Sequence, residues 1–176
     1  RRENMHGTDT DVDVPHAHLT SAIYLHIVLS DAAAYHAATL EGMPDRYTPP
    51  VRIRLEMGRY VLAEDYVRAL DGKGALRRDV DAALAGHDAL VLPSLAIPAP
   101  TIGVPTVDIG GGQELVRNVM LRLTQAFNLT GHPAIAVPNG LTGAGLPCSL
   151  QLVGSETRAL VGVARACESQ LSSAAT

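Results

Sequence analysis

The sequence predicts an α/β fold, because helical patterns alternate with short apolar runs of strand length along most of its 176 residues. Two further observations agree. Apolar residues make up 47% and charged residues 18%, enough to bury a core and too apolar for a disordered tail. The apolar content is small and aliphatic, with one Phe (Phe127) and no Trp, which suits close helix–sheet layers better than a self-sufficient small domain.

Residues 1–10 are polar and irregular and are expected as a flexible lead-in to a folded region spanning 11–171. Asp11–Pro15 alternates like a short strand closed by proline. Thr20 or Ser21 can cap a helix to about Leu40, with Ile23, Ile27, Ala34 and Ala38 on one face and Gly42 past its end. Pro49-Pro50 opens a short helix, Val51–Met57, stopped by Gly58. Ala63–Ala85 reads as a helix with Tyr66, Leu70, Leu76, Val80 and Leu84 inward. It is expected to break or kink at Asp71-Gly72-Lys73-Gly74, since each glycine costs about 1 kcal/mol against alanine.

Asp88–Pro93 reads as a buried strand, followed by a proline-rich loop through Pro105 and by Gly110-Gly111-Gly112, a hinge with no strand leading into it. Glu114–Asn128 is the clearest amphipathic helix. Val116, Val119, Met120, Leu123 and Phe127 form its apolar stripe, and Arg117, Leu121, Thr124, Gln125 and Asn128 its other face. Gly131 ends it, either with a positive φ or by packing too tightly for a Cβ. Ala134–Val137 and Cys148–Val153 are neighbouring buried strands, joined through Pro138–Pro147 by a wide hairpin or a short crossover. Glu156–Leu171 closes the fold with Leu160, Ala164, Cys167 and Leu171 inward, leaving 172–176 as a loose tail.

Several function classes fall away. A net charge of −4 with no basic stretch beyond Arg1-Arg2 and Arg77-Arg78 argues against nucleic acid. No apolar run approaches the ~20 residues of a membrane span. Cys148 and Cys167 make no disulfide framework and read as free thiols of a reducing, cytoplasmic setting. His16 and His18 lack acidic or cysteine partners at ligand spacing, so no metal and no cofactor are expected. His36 suits a core or interface role and His132 packing or solvent exposure. No lysine followed by serine or threonine accompanies the glycine run, and no Gly-x-Ser-x-Gly elbow occurs.

The run Thr124–Gly154 carries Asn128-Leu129-Thr130-Gly131-His132-Pro133, a strand, then Gly145-Leu146-Pro147 and Gln151-Leu152-Val153-Gly154. This string resembles the C-terminal half of the amidase signature family. So do Tyr35-His36, Tyr47-Thr48-Pro49-Pro50, Arg54-Leu55-Glu56-Met57-Gly58, Glu64-Asp65-Tyr66 and Asp88–Ser94, in their order and spacing from about Asp11 to Leu171.

The resemblance implies a mixed sheet flanked by helices, of which this chain supplies the C-terminal portion. It also implies hydrolysis of carbon–nitrogen amide bonds by a Ser–cis-Ser–Lys triad. The triad is not encoded here: the single lysine is Lys73, expected in a glycine-flanked turn, and the adjacent serines Ser172-Ser173 lie in the tail, so no catalytic residue is assigned. The helix before Gly131 contributes to the substrate pocket in the family, which makes Arg54, Leu121, Gln125 and Asn128 the candidate substrate-binding residues. A structural ion pair for Arg54 and a helix-end hydrogen bond for Asn128 are the favoured plainer readings. Leu121 stands where glutamine-using amidotransferases carry an acidic residue, which disfavours that chemistry. With Met57 and Ile102 it hints at apolar or aromatic acyl groups.

The start Arg1-Arg2-Glu3-Asn4-Met5 resembles neither an initiator nor a signal peptide and reads as cut from something longer. The expected partners are a small amide substrate and the N-terminal part of the same protein. Homo-oligomers are possible, since a fragment severed from half its sheet exposes an apolar face. The alternative is a stand-alone, non-catalytic scaffold or partner subunit derived from such an enzyme. The gene sequence upstream separates the two: a glycine-rich Ser-Ser run in frame favours the enzyme.

Overall fold

The computed structural model describes residues 9–174. Arg1-Arg2 and most of the expected lead-in lie outside the described residues, as do the last two of the expected tail. The chain divides into two compact units: one runs Pro15–Arg78, and the other takes Asp79 onward together with the segment through Val14.

The first unit is helical. Pro15–Leu19 forms a 3-10 turn leading into α1 (Thr20–Gly42). Residues 9–14 form no strand, so the alternation at Asp11–Pro15 does not become one. Neither Thr20 nor Ser21 caps α1. Leu19 holds the cap position without a side-chain bond, and Thr20 is buried as part of the helix. The buried face is Ile23, Ile27, Ala33 and Leu40; Ala34 and Ala38 are exposed, one position round from the expected stripe.

α2 (Pro49–Gly58) starts on its proline pair as expected. Gly58 does more than stop it. A Cβ placed there would lie 2.0 Å from the Leu29 carbonyl oxygen, so glycine is what lets α2 cross α1 at this separation.

α3 (Ala63–Leu84) runs uninterrupted, so there is no break at residues 71–74. Lys73 is therefore a helical residue rather than part of a turn. The cost of Gly72 is offset by packing: its missing Cβ makes room for Ile23 of α1, whose side chain would lie 3.0 Å from it. Leu76, Val80 and Leu84 are buried as the four-residue spacing demands. Leu70 is 40% exposed, and Ala69 takes the inward place instead.

The second unit holds the sheet. β1 (Leu90–Pro93), β4 (Ala134–Leu141) and β5 (Pro147–Val153) form a sheet in the order β1-β5-β4, with β5 central and antiparallel to both neighbours. Leu152 faces Val91 on one side and Ile135 on the other. β4 and β5 are joined as a hairpin with a register shift between Pro138 and Leu141. Burial is one-sided on the outer strands: Val91 is 62% exposed, so β1 is not the fully buried strand that its apolar run suggests, and β4 buries only Val137 among its eight residues.

One face of the sheet meets α6 (Thr157–Ala174), where Val137 and Leu152 pack with Leu160 and Ala164, and with Cys167 and Leu171 alongside. α6 includes Ser172–Ala174 of the expected tail. The Glu156 carboxylate accepts the Arg158 and Ala159 amides, capping the helix. The other face meets the end of α3: Val153 and Leu90 pack with Val80, Ala83, Leu84 and Phe127. Helices thus cover both faces, as the α/β reading expects.

β2 (Thr106–Asp108) and β3 (Gln113–Leu115) make a separate two-stranded ribbon. The three glycines are its turn, with Gly110 at φ +87° and Gly112 at φ +131°. A strand does lead into them, correcting the hinge reading. The Asp108 carboxylate accepts the Gly110 amide at 2.8 Å and fixes the turn.

Candidate functional site

The expected helix Glu114–Asn128 is three pieces. Its first residues pair as β3, then α4 (Val116–Leu121) and α5 (Gln125–Thr130) follow, separated by a turn at residues 122–124. The apolar spacing survives because Val119 and Phe127 still point into the core. Within the turn the amides of Arg122 and Thr124 bond three residues back, to Val119 and Leu121, and the Thr124 hydroxyl donates to the Leu121 carbonyl. Arg122 also forms an ion pair with Glu114 of β3.

Leu123 lies between the helices, and its carbonyl accepts a hydrogen bond from Gln151 Nε2 at 2.9 Å. Gln151 is buried, in the middle of the central strand, opposite Leu92 and Ala136.

The candidate residues stand around this break. Leu121, half-buried, ends α4, and Gln125 opens α5. Gln125 is 8% exposed, so it does not belong to a solvated face as the stripe pattern implied. Asn128 is exposed, and its backbone N–H donates to the Thr124 carbonyl at 3.3 Å. Arg54 sits in the other unit, half-buried on α2. It makes no ion pair among the described residues, in contrast to the expectation; the acids nearby pair with Arg52 and Arg59. Met57 and Ile102 are both exposed, in different units.

A second arrangement escaped the sequence reading. Past α5, Gly131 turns the chain at φ +75° and ψ 16° as expected, and its amide closes on Phe127 at 2.9 Å. His132 then points inward, buried between Thr130 Oγ1 at 2.8 Å from Nδ1 and Asp81 Oδ1 at 3.0 Å from Nε2. One tautomer satisfies both contacts: Nε2–H donates to the carboxylate, and Nδ1 accepts the threonine hydroxyl. A hydroxyl, an imidazole and a carboxylate in series are the parts of a nucleophile relay. Thr130 is 1% exposed, however, so no carbonyl reaches its oxygen. The series is a clamp between α3 and the α5–β4 turn. The packing alternative for His132 is thus the one the structure takes.

In the helical unit a cavity of about 490 Å³ is lined by Leu19, Ile23, Ala69 and Gly72 together with His16, His26 and Arg68. Arg68 pairs with Asp65 at 3.2 Å. Among the described residues no group of three or more His, Cys, Asp or Glu side chains could hold a metal, and no helix is long and apolar enough to cross a membrane.

Comparison with known proteins supplies the relationship. The model of the Amidase family matches residues 3–158. An amidase of Pseudomonas putida is 36% identical over 138 residues, covering 77% of this chain and 29% of the relative. One subunit of the glutamyl-tRNA(Gln) amidotransferase of Xanthobacter autotrophicus is 31% identical over 169 residues, covering 82% of this chain and 33% of its own length. A crystal structure of an amidase superposes with a TM-score of 0.84 at 31% identity, over 90% of this chain and 37% of that one. The chain thus spans about a third of the length of the relatives it matches.

Proposed function

Since the chain belongs to the amidase signature family, we propose that it is the C-terminal part of a hydrolase that cleaves carbon–nitrogen amide bonds. In this reading it supplies scaffold and one wall of the substrate pocket. The wall is formed at the α4–α5 break by Leu121, Gln125 and Asn128, and Arg54 of α2 is the remaining candidate for substrate contact. The serine pair and the catalytic lysine belong to a part of the protein N-terminal to it. The observation that carries the reading is the family match across residues 3–158 in a sequence that lacks a glycine-rich Ser-Ser run.

The chemistry explains the division. An amide carbonyl yields at useful rates only to an activated nucleophile facing preorganised oxyanion donors, and both come from the serine-bearing segment. What this chain can add is binding and orientation. Leu121 presents an apolar surface that suits the acyl portion of a neutral amide and cannot answer an amino group. The reading is accordingly an amidase rather than a glutamine-using amidotransferase, with a small amide as substrate, a cytoplasmic location and the N-terminal part of the same protein as partner.

The test is hydrolysis of an aryl amide and a nitrophenyl ester by the 176-residue chain and by the N-terminally extended protein, with Lys73→Ala as a control in each. The expected result is no turnover above background from the chain and turnover from the extended protein that survives Lys73→Ala. Turnover by the chain alone that disappears with Lys73→Ala would overturn it.

A further inference from the structure

We propose that Gln151 is a positioning residue for the substrate pocket: its side-chain amide, reaching from the central strand to the Leu123 carbonyl, sets the break that separates Leu121 from Gln125. The proposal rests on the hydrolase reading for what the wall does, but not for how the wall is held.

Three observations carry it. The apolar spacing from Val116 to Phe127 fits one continuous helix, so local preference alone would not place a break here. The structure nevertheless turns at residues 122–124. The Leu123 carbonyl, outside both helices, is taken by Gln151 Nε2 at 2.9 Å. A buried amide that lost this partner would be left unsatisfied, and a carbonyl that lost it would seek a helical donor instead. Gln151 is only 6% exposed and held in register between Leu92 and Ala136, so it is a fixed anchor and not a side chain searching for contacts.

The geometric consequence is direct. In a continuous helix, Leu121 and Gln125 are four residues apart and share one face. With the break, Leu121 is half-buried at the end of one helix while Gln125 is buried at the start of the next. Gln151 therefore decides which side chain the wall presents, without itself needing to touch substrate.

The first arm is structural and uses the 176-residue chain. Gln151→Met keeps the side-chain length and removes the donor. Arg122 and Thr124 already have right-handed helical backbone angles. The expected result is therefore a move of the Leu123 carbonyl shift and slower exchange of the Phe127 amide, four residues on, as it takes the released carbonyl, while the shifts of β4 hold. An unchanged Leu123 carbonyl shift and Phe127 amide exchange overturn the proposal whatever the kinetics.

The second arm uses the extended protein, with p-nitroacetanilide and p-nitrobutyranilide as probes. Gln151→Met should raise KM for the longer anilide about fivefold to tenfold and leave kcat within about twofold. Gln151→Glu restores a donor only when its buried carboxyl is protonated. Its KM, taken relative to wild type at each pH, should fall back as pH is lowered from about 8 to about 5. A kcat loss without a KM change, or no recovery in the glutamate variant, sinks the assignment; should Gln151→Met fail to fold, the glutamate variant decides. If wild-type extended protein turns over neither anilide, the hydrolase reading fails, and the structural arm alone decides the role of Gln151.

Discussion

Gly58 of α2 lies so close to Leu29 of α1 that an added Cβ would sit 2.0 Å from the Leu29 carbonyl oxygen and 2.8 Å from the Ala33 Cβ. Backbone cannot yield there as a flexible side chain can. Gly58→Ala should force the helices apart and destabilise the protein by about 3 kcal/mol. Gly42, at the end of α1 with nothing within 4 Å of its would-be Cβ, is the control: Gly42→Ala should be neutral or slightly stabilising. Urea midpoints of the two variants check the pair. Equal midpoints would show that the α1–α2 crossing is looser than the structure has it.

Gly131 carries the left-handed turn that ends α5, at φ +75°. An L side chain there is strained, and Gly131→Ala should cost roughly 1 kcal/mol or more. A thermal unfolding midpoint unchanged from wild type would mean that the α5–β4 turn rearranges without penalty.

His132, itself buried, joins buried Thr130 to Asp81, whose side chain is 55% exposed. His132→Ala removes two hydrogen bonds and leaves a void beside a fully buried threonine, for an expected loss of about 3 kcal/mol. Because Thr130 is closed to solvent, the same variant in the extended protein should keep kcat per folded molecule. A kcat loss with stability intact would make the series catalytic after all.

Tyr66 donates to Asp31 Oδ1 at 2.9 Å, and this hydrogen bond holds its phenol above the ordinary value, with desolvation and the negative charge of Asp31 adding in the same direction. A raised folded-state value means that the contribution is complete below the unfolded phenol value near ~10 and is lost as pH rises through the folded one. Ultraviolet titration should show one tyrosine ionising late, and that phase should vanish in Tyr66→Phe. In Asp31→Asn, where the charge is gone, it should move toward the others. A late phase that persists in Tyr66→Phe belongs to another tyrosine.

Much of the core could be read from spacing alone. Leu76, Val80 and Leu84 repeat every four residues and are buried; Leu160 and Ala164 do the same on α6. Gly131 was legible as a helix end, with a positive φ or close packing both open to a glycine, and the structure takes the first. The misses share a cause, which is that the deciding partner is remote in sequence. Gly72 reads as a helix defect until Ile23 is brought against it. Asp11–Pro15 alternates like a strand, but no neighbour pairs with it. The break at residues 122–124 is invisible to periodicity because the residue that holds it, Gln151, lies 28 positions downstream of Leu123. Leu121 and Gln125 flank the break, and the burial of Gln125 follows from tertiary contacts that no local pattern carries.

β5 has no spare parity. Leu152 seals one layer against Leu160 and Ala164, while Val153 and Gln151 serve the opposite layer, through Phe127 and through the Leu123 carbonyl. Adding or deleting one residue within the strand would swap these assignments wholesale, sending an amide into the α6 contact and a leucine toward a carbonyl that needs a donor. Length changes in this strand can therefore come only in twos, and natural variation in loop length has to be absorbed at the hairpin tip beyond Pro138, where the register is already broken.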